Sequence, residues 1–113
     1  MTTYNEIGKT TVSSEVLNKI ARLTTLSVKG VSRMSSCRDG LSHLINAEEC
    51  RGVKVQVKDG LVFVEIYVIL ISDMNVRDIS REIQSRVSRS IAEMIGLDVG
   101  GVNIHIMDID FNA

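Results

Sequence analysis

Hydrophobic and polar positions alternate along the chain with two distinct periods. From about Ser14 to Val28 the apolar residues recur helically: Val16, Ile20 and Leu23 at spacings of four and three, with Leu17 and Ala21 widening the stripe. Ser13 or Ser14 is placed to accept from the free N–H groups of the first turn, and Glu15 sits where the dipole favours an anion. Lys29-Gly30 supplies a cation and a residue able to take φ > 0 at the end. A short strand over Ile7–Val12 is expected ahead of this helix. Val31 to Gly52 is the least regular stretch, with only Leu41, Leu44 and Ile45 suggesting a helical turn or two.

The period then changes to two. Val53, Val55 and Val57 alternate with Lys54, Gln56 and Lys58, which predicts a strand with one buried face. Asp59-Gly60 is a two-residue hairpin turn, and the return strand runs from Leu61 to Ile71. A second helix is predicted over Val76–Ile95, N-capped by Asn75 and ended by Gly96, with Val76, Ile79, Ile83, Val87, Ile91 and Met94 as its apolar stripe. Glu82–Arg86 and Arg89–Glu93 are opposite charges four apart on its outer side. The last strand is read from Val102 to Phe111. Its apolar parity switches after Ile106, which predicts a bulge or a departure from the sheet near Met107. The order is (β)αββαβ. It predicts an α+β two-layer sandwich: a mixed three- or four-stranded sheet with two helices packed on one face, and Leu61–Ile71 parallel to the closing strand.

Composition narrows the class. The 113 residues fit one domain, taken as residues 1–113. With 44% hydrophobic residues, 4% aromatic and no Trp, the core must be aliphatic. Thirteen basic and fourteen acidic residues give a net charge of −1, without the basic excess of a general nucleic-acid binder. The start of the chain carries no basic-then-apolar signal pattern, and Leu61–Ile71, interrupted by Glu65, is far shorter than the roughly 20 residues of a spanning helix. The expectation is a cytoplasmic protein with free thiols and no direct membrane insertion.

Candidate chemistry is sparse. Cys37, His43 and Cys50 carry zinc-ligand chemistry, but they lack a close Cys-x-x-Cys knuckle and a fourth ligand. A thiolate paired with His43 or His105 is conceivable on composition alone. The Gly96–Gly101 stretch follows a helix and opens a strand, the reverse of a phosphate loop, and reads as a helix cap and a turn. Arg77, Arg81, Arg86 and Arg89 are interleaved with Asp78, Glu82 and Glu93, as on a solvated helix face. The expectation is therefore no enzyme, no cofactor and no metal.

One feature exceeds what a solvated monomer needs. Val62, Val64, Ile66, Val68 and Leu70 form one face of the long strand; Leu61, Phe63, Tyr67, Ile69 and Ile71 form the other, broken only by Glu65. Two helices cover one face, and each large apolar side chain contributes about 1.5–3 kcal/mol when fully buried. The second face needs a cover as well, either the Val31–Gly52 segment or another subunit. Leu61, Phe63, Tyr67, Ile69 and Ile71 are thus the candidate interface.

Several blocks, taken in order, resemble the alkaline shock proteins, also called the general-stress or YloU-like envelope stress family. The blocks are GKTTVSSEVLNKIA (Gly8–Ala21), Gly30-Val31, GVKVQV (Gly52–Val57), DGLVFVEIYVIL (Asp59–Leu70), NVRDISREIQSRV (Asn75–Val87) and GLDVGGVNIHIMDIDF (Gly96–Phe111). Ser72-Asp73-Met74 stands where the family often has a Tyr-Gly or similar pair. The resemblance implies a non-catalytic cytoplasmic interaction or scaffold protein of the envelope stress response. Some such proteins are held near the membrane by a separate anchor protein; the two-sided apolar strand, with no catalytic constellation, points to self-association and docking on an envelope-linked partner protein. The rival readings are a nucleic-acid-binding αβ module, which rests on fold analogy, and a small Cys/His metal-binding protein.

Overall fold

A computed structural model describes residues 11–36 and 52–112. Among the described residues six elements follow in order: α1 (Ser14–Leu26), β1 (Val31–Met34), β2 (Val53–Lys58), β3 (Leu61–Ile71), α2 (Val76–Ile95) and β4 (Asp98–Asp110). The hairpin of β2 and β3 and the second helix fall where periodicity puts them. Asp59 (φ 53°) and Gly60 (φ 79°) turn the hairpin, and Asn75 caps α2 by accepting from the Asp78 N–H at 3.1 Å.

β3 is the axis of the sheet. Along one edge it pairs in parallel with β4 over its whole length. Along the other it pairs antiparallel with β2 through Leu61–Ile66 and with β1 through Val68–Leu70. β1 and β2 therefore lie in tandem and meet at Tyr67, whose N–H donates to the Gly52 carbonyl (2.7 Å) and whose carbonyl accepts from Ser35 N–H (2.8 Å). The sheet is mixed and four-stranded. Both helices cover the face of Val62, Val64, Ile66, Val68 and Leu70, all fully buried; α1 lies over β1 and β2, and α2 over β4. Each helix also reaches a strand with an amide: Asn18 Nδ2 donates to the Val53 carbonyl at 2.8 Å, and Gln84 Nε2 to the Val102 carbonyl at 3.0 Å.

The bulge expected near Met107 is present, where the register shifts between Val68 and Ile69, and a second lies at Gly100. Each inserts one residue, so Val99, Val102, Ile104, Ile106 and Ile109 all turn to the helices although their spacing is not a strict two.

Three expectations are corrected, and a fourth lies mostly outside the described residues. Of the leading strand, positions 7–10 are outside them, and Thr11 and Val12 are not in a strand; an unanticipated strand, β1, follows the first helix. α1 ends at Leu26 with Ser27 as its cap. Gly30 (φ 105°) serves close packing instead, because a Cβ there would meet Ile79 Cδ1 at 2.5 Å. Of the predicted α1 stripe, Leu17 and Ala21 are buried and Ile20 packs against the core, whereas Val16 and Leu23 are exposed; the third buried position is Thr25, which satisfies its hydroxyl on the Ala21 carbonyl at 2.7 Å and so fills a core position. β4 starts at Asp98, four residues before Val102, so most of the glycine stretch is strand.

Candidate functional site

Side chains of β3 that point away from the helices form the middle of a second sheet face. Leu61, Phe63, Tyr67, Ile69 and Ile71, the candidate interface read from sequence, all stand on it together with Glu65. Their exposure is graded: Leu61 is 37% exposed, Phe63, Tyr67 and Ile71 are half-buried, and Ile69 is 9% exposed. Phe63 lies against the backbone of Gly100, where a Cβ would come within 2.6 Å of the ring. The bulge glycine thus makes room for the aromatic side chain.

A polar island sits in this apolar row. The register sets Asn103 beside Glu65 and His105 beside Tyr67. The Glu65 carboxylate accepts from Asn103 Nδ2 at 2.6 Å and from His105 Nε2 at 2.6 Å. The Tyr67 ring stacks on the imidazole, centroids 4.5 Å apart and 13° from parallel. Lys54, paired with Glu65 on the neighbouring strand, holds its Nζ 5.8 Å from the centre of the Tyr67 ring. Partial burial of Glu65 opposes its ionisation, but the hydrogen bonds from His105 and Asn103 and the charges of His105 and Lys54 outweigh it and hold its pKa below the ordinary value.

The three strands across this face differ in charge. The β1/β2 side carries Lys58, Lys54 and Arg33, in register with Leu61, Glu65 and Ile69. The β4 side carries Asp98, Asp108 and Asp110, in register with Leu61, Ile69 and Ile71. At one end the two sides touch: Asp110 accepts from Ser32 Oγ at 2.9 Å and from Arg33 Nη1 at 3.3 Å.

Sequence reasoning found the apolar row and missed the island. Asn103 and His105 alternate with Ile104, so a shared face was legible; their position beside Glu65 and Tyr67 depends on the two bulges that set the β4 register. Cys37, His43 and Cys50 lie outside the described residues. Among the described residues no group of three or more His, Cys, Asp or Glu is placed to hold a metal ion. On α2, Arg86 pairs with Glu82 as its spacing predicts. A shallow open depression beside the start of α2 is lined by Lys29, Met74, Asn75, Asp78, Ile79 and Glu82, with no thiol or imidazole in it. No described helix is long and apolar enough to cross a membrane.

Fold and face together define a two-layer α+β protein whose central strand carries a mostly apolar row opposite the helices. The chain belongs to the alkaline shock protein 23 family, described as having a cell envelope-related function, whose model matches residues 2–111. It is 33% identical over 108 residues to the uncharacterized protein Spy1535 of Streptococcus pyogenes, covering 95% of this chain and 83% of that one. It is 26% identical over 106 residues to the uncharacterized protein YloU of Bacillus subtilis, covering 90% and 88%. Solved structures of MamM CTD share the fold, one with a TM-score of 0.53 at 10% identity over 87% of this chain and 100% of that one. At that identity the likeness speaks to fold alone.

Proposed function

We propose that this is a non-catalytic interaction protein of the cell envelope, working on the cytoplasmic side, that self-associates and docks on an envelope-linked partner protein through the helix-free face of its sheet. The observation that carries this reading is the row Leu61, Phe63, Tyr67, Ile69 and Ile71 on the face of β3 that neither helix covers. Apolar rows of this kind on soluble proteins mark interaction sites. The family's cell envelope-related description supports the setting. The ring of His105 is engaged on both counts, hydrogen-bonded to Glu65 and stacked on Tyr67, which suits a structural role better than proton transfer.

Light scattering over a concentration series tests it. The wild type is expected to gain mass with concentration. Tyr67→Asp, which sets a carboxylate in the middle of the row, is expected to stay monomeric with an unchanged circular dichroism spectrum. Equal self-association of the two proteins would remove this face from the account.

A further inference from the structure

The charge pattern of the face selects how two copies meet on it. We infer that the occupant is a second copy of this chain, packed face to face about a two-fold axis running along β3; this rests on the proposed use of the face for self-association. The apolar row forms a spine between two unlike rims: Lys58 and Arg33 on the β1/β2 side, Asp98 and Asp108 on the β4 side, each basic residue in register with an acidic one across β3, with Arg33 also holding Asp110 of its own chain at 3.3 Å. A two-fold axis in the interface either follows the strands or crosses them. Along the strands it lays the basic rim of each copy over the acidic rim of the other, so Lys58 faces Asp98 and Arg33 faces Asp108 of the second copy. Across the strands it lays basic over basic and acidic over acidic. The first arrangement is attractive and the second repulsive, so charge complementarity chooses the first.

Size sets the strength. β3 spans 11 residues, which is roughly 35 Å at about 3.3 Å per residue, and three strands about 4.8 Å apart give a width near 14 Å. That is about 500 Å² per copy and about 1,000 Å² in total, at the lower end of specific interfaces. The dimer is therefore weak and concentration-dependent, and its rims weigh heavily. Glu65 meets its own mate near the axis, but each carboxylate is already bonded to Asn103 and His105 of its own chain.

Charge exchange tests this arrangement. Lys58 and Asp98 are both exposed, so neither substitution threatens the fold, and thermal melts check that. Sedimentation equilibrium at low salt is expected to show Lys58→Asp and Asp98→Lys each weakening the dimer by about tenfold, because two symmetry-related contacts turn from attraction to repulsion. The double exchange Lys58→Asp with Asp98→Lys is expected to restore wild-type association. If both single variants associate as tightly as wild type while Tyr67→Asp does not, the axis assignment is wrong and the face survives. If the wild type is a strict monomer at every concentration, this arrangement and the self-association it rests on both fall.

Discussion

Glu65 is the only charged side chain on β3, and it is fully engaged where it stands. Its carboxyl pKa lies below the ordinary 4.5. A folded-state value below the unfolded one contributes stability that is present above pH 4.5 and is lost as pH falls through the folded value. Urea denaturation between pH 3 and pH 6 is therefore expected to show the wild type weakening on acidification, with a shallower dependence in Glu65→Gln. Equal slopes would mean the island contributes nothing to folding. Asp110 follows the same rule at the rim: the Asn112 N–H and the Ser32 hydroxyl lower its pKa, helped by Arg33. Gly52 makes a different demand. It combines φ 84° with a Cβ position only 2.7 Å from the Ser35 carbonyl oxygen and 2.8 Å from Met34 Cβ, whereas Gly60, at φ 79°, has nothing within 4 Å. Gly60→Ala is expected to cost about 1–2 kcal/mol for its left-handed backbone, and Gly52→Ala distinctly more, measured by thermal melts. A smaller loss at Gly52 would deny the close approach of β1 and β2. The sequence shows that Gly52 is a glycine; that it seats two strand ends against Tyr67 is tertiary information.

α1 carries apolar residues on two sides, and here reading by period blurs the edge of the core. Leu17, Ala21 and Ile20 belong to the predicted stripe and pack inward, but Val16 and Leu23 are read with them and Thr25 is left out, because hydrophobicity alone does not credit a threonine whose hydroxyl is satisfied within its own helix. Leu23 is 57% exposed and Leu17 is fully buried. Leu17→Ala is accordingly expected to cost about 2–5 kcal/mol, and Leu23→Ala about 0.5 kcal/mol or less, by denaturant titration. A reversed order would mean that α1 is rotated on the sheet. β2, β3 and α2 were legible because each is long, strongly periodic and bounded by a turn or cap with a physical mechanism. β1 was not. It has four residues, only Val31 of them buried, and its register breaks between Val31 and Arg33. β4 was legible in its second half, where the parity switch announced the bulge at Met107, and not in its first, where Gly100 and Gly101 hide a strand behind residues that normally mark a turn.

Taken whole, the sheet has a helix-covered face that makes the core and a second face made of an apolar spine, a polar island and two unlike rims. Among the described residues β4 pairs only with β3. Its two bulges and its aspartates at 98, 108 and 110 discourage another strand from adding there. The proposed self-association therefore uses the face rather than pairing along β4. The face was half legible: apolar alternation on both sides of β3 required a second cover, but the rims depend on strand order and register, which one-dimensional patterning does not carry. The helix layer offers a rival surface, since Leu23 and Met94, 68% exposed, are both outside the core. Amide and methyl chemical shifts followed through a concentration series separate the two. Concentration-dependent shifts are expected at Phe63, Tyr67, Ile69 and His105, with Leu23 and Met94 unmoved. Shifts confined to Leu23, Met94 and their helical neighbours, with the β3 row silent, would contradict the assignment of the sheet face as the working surface.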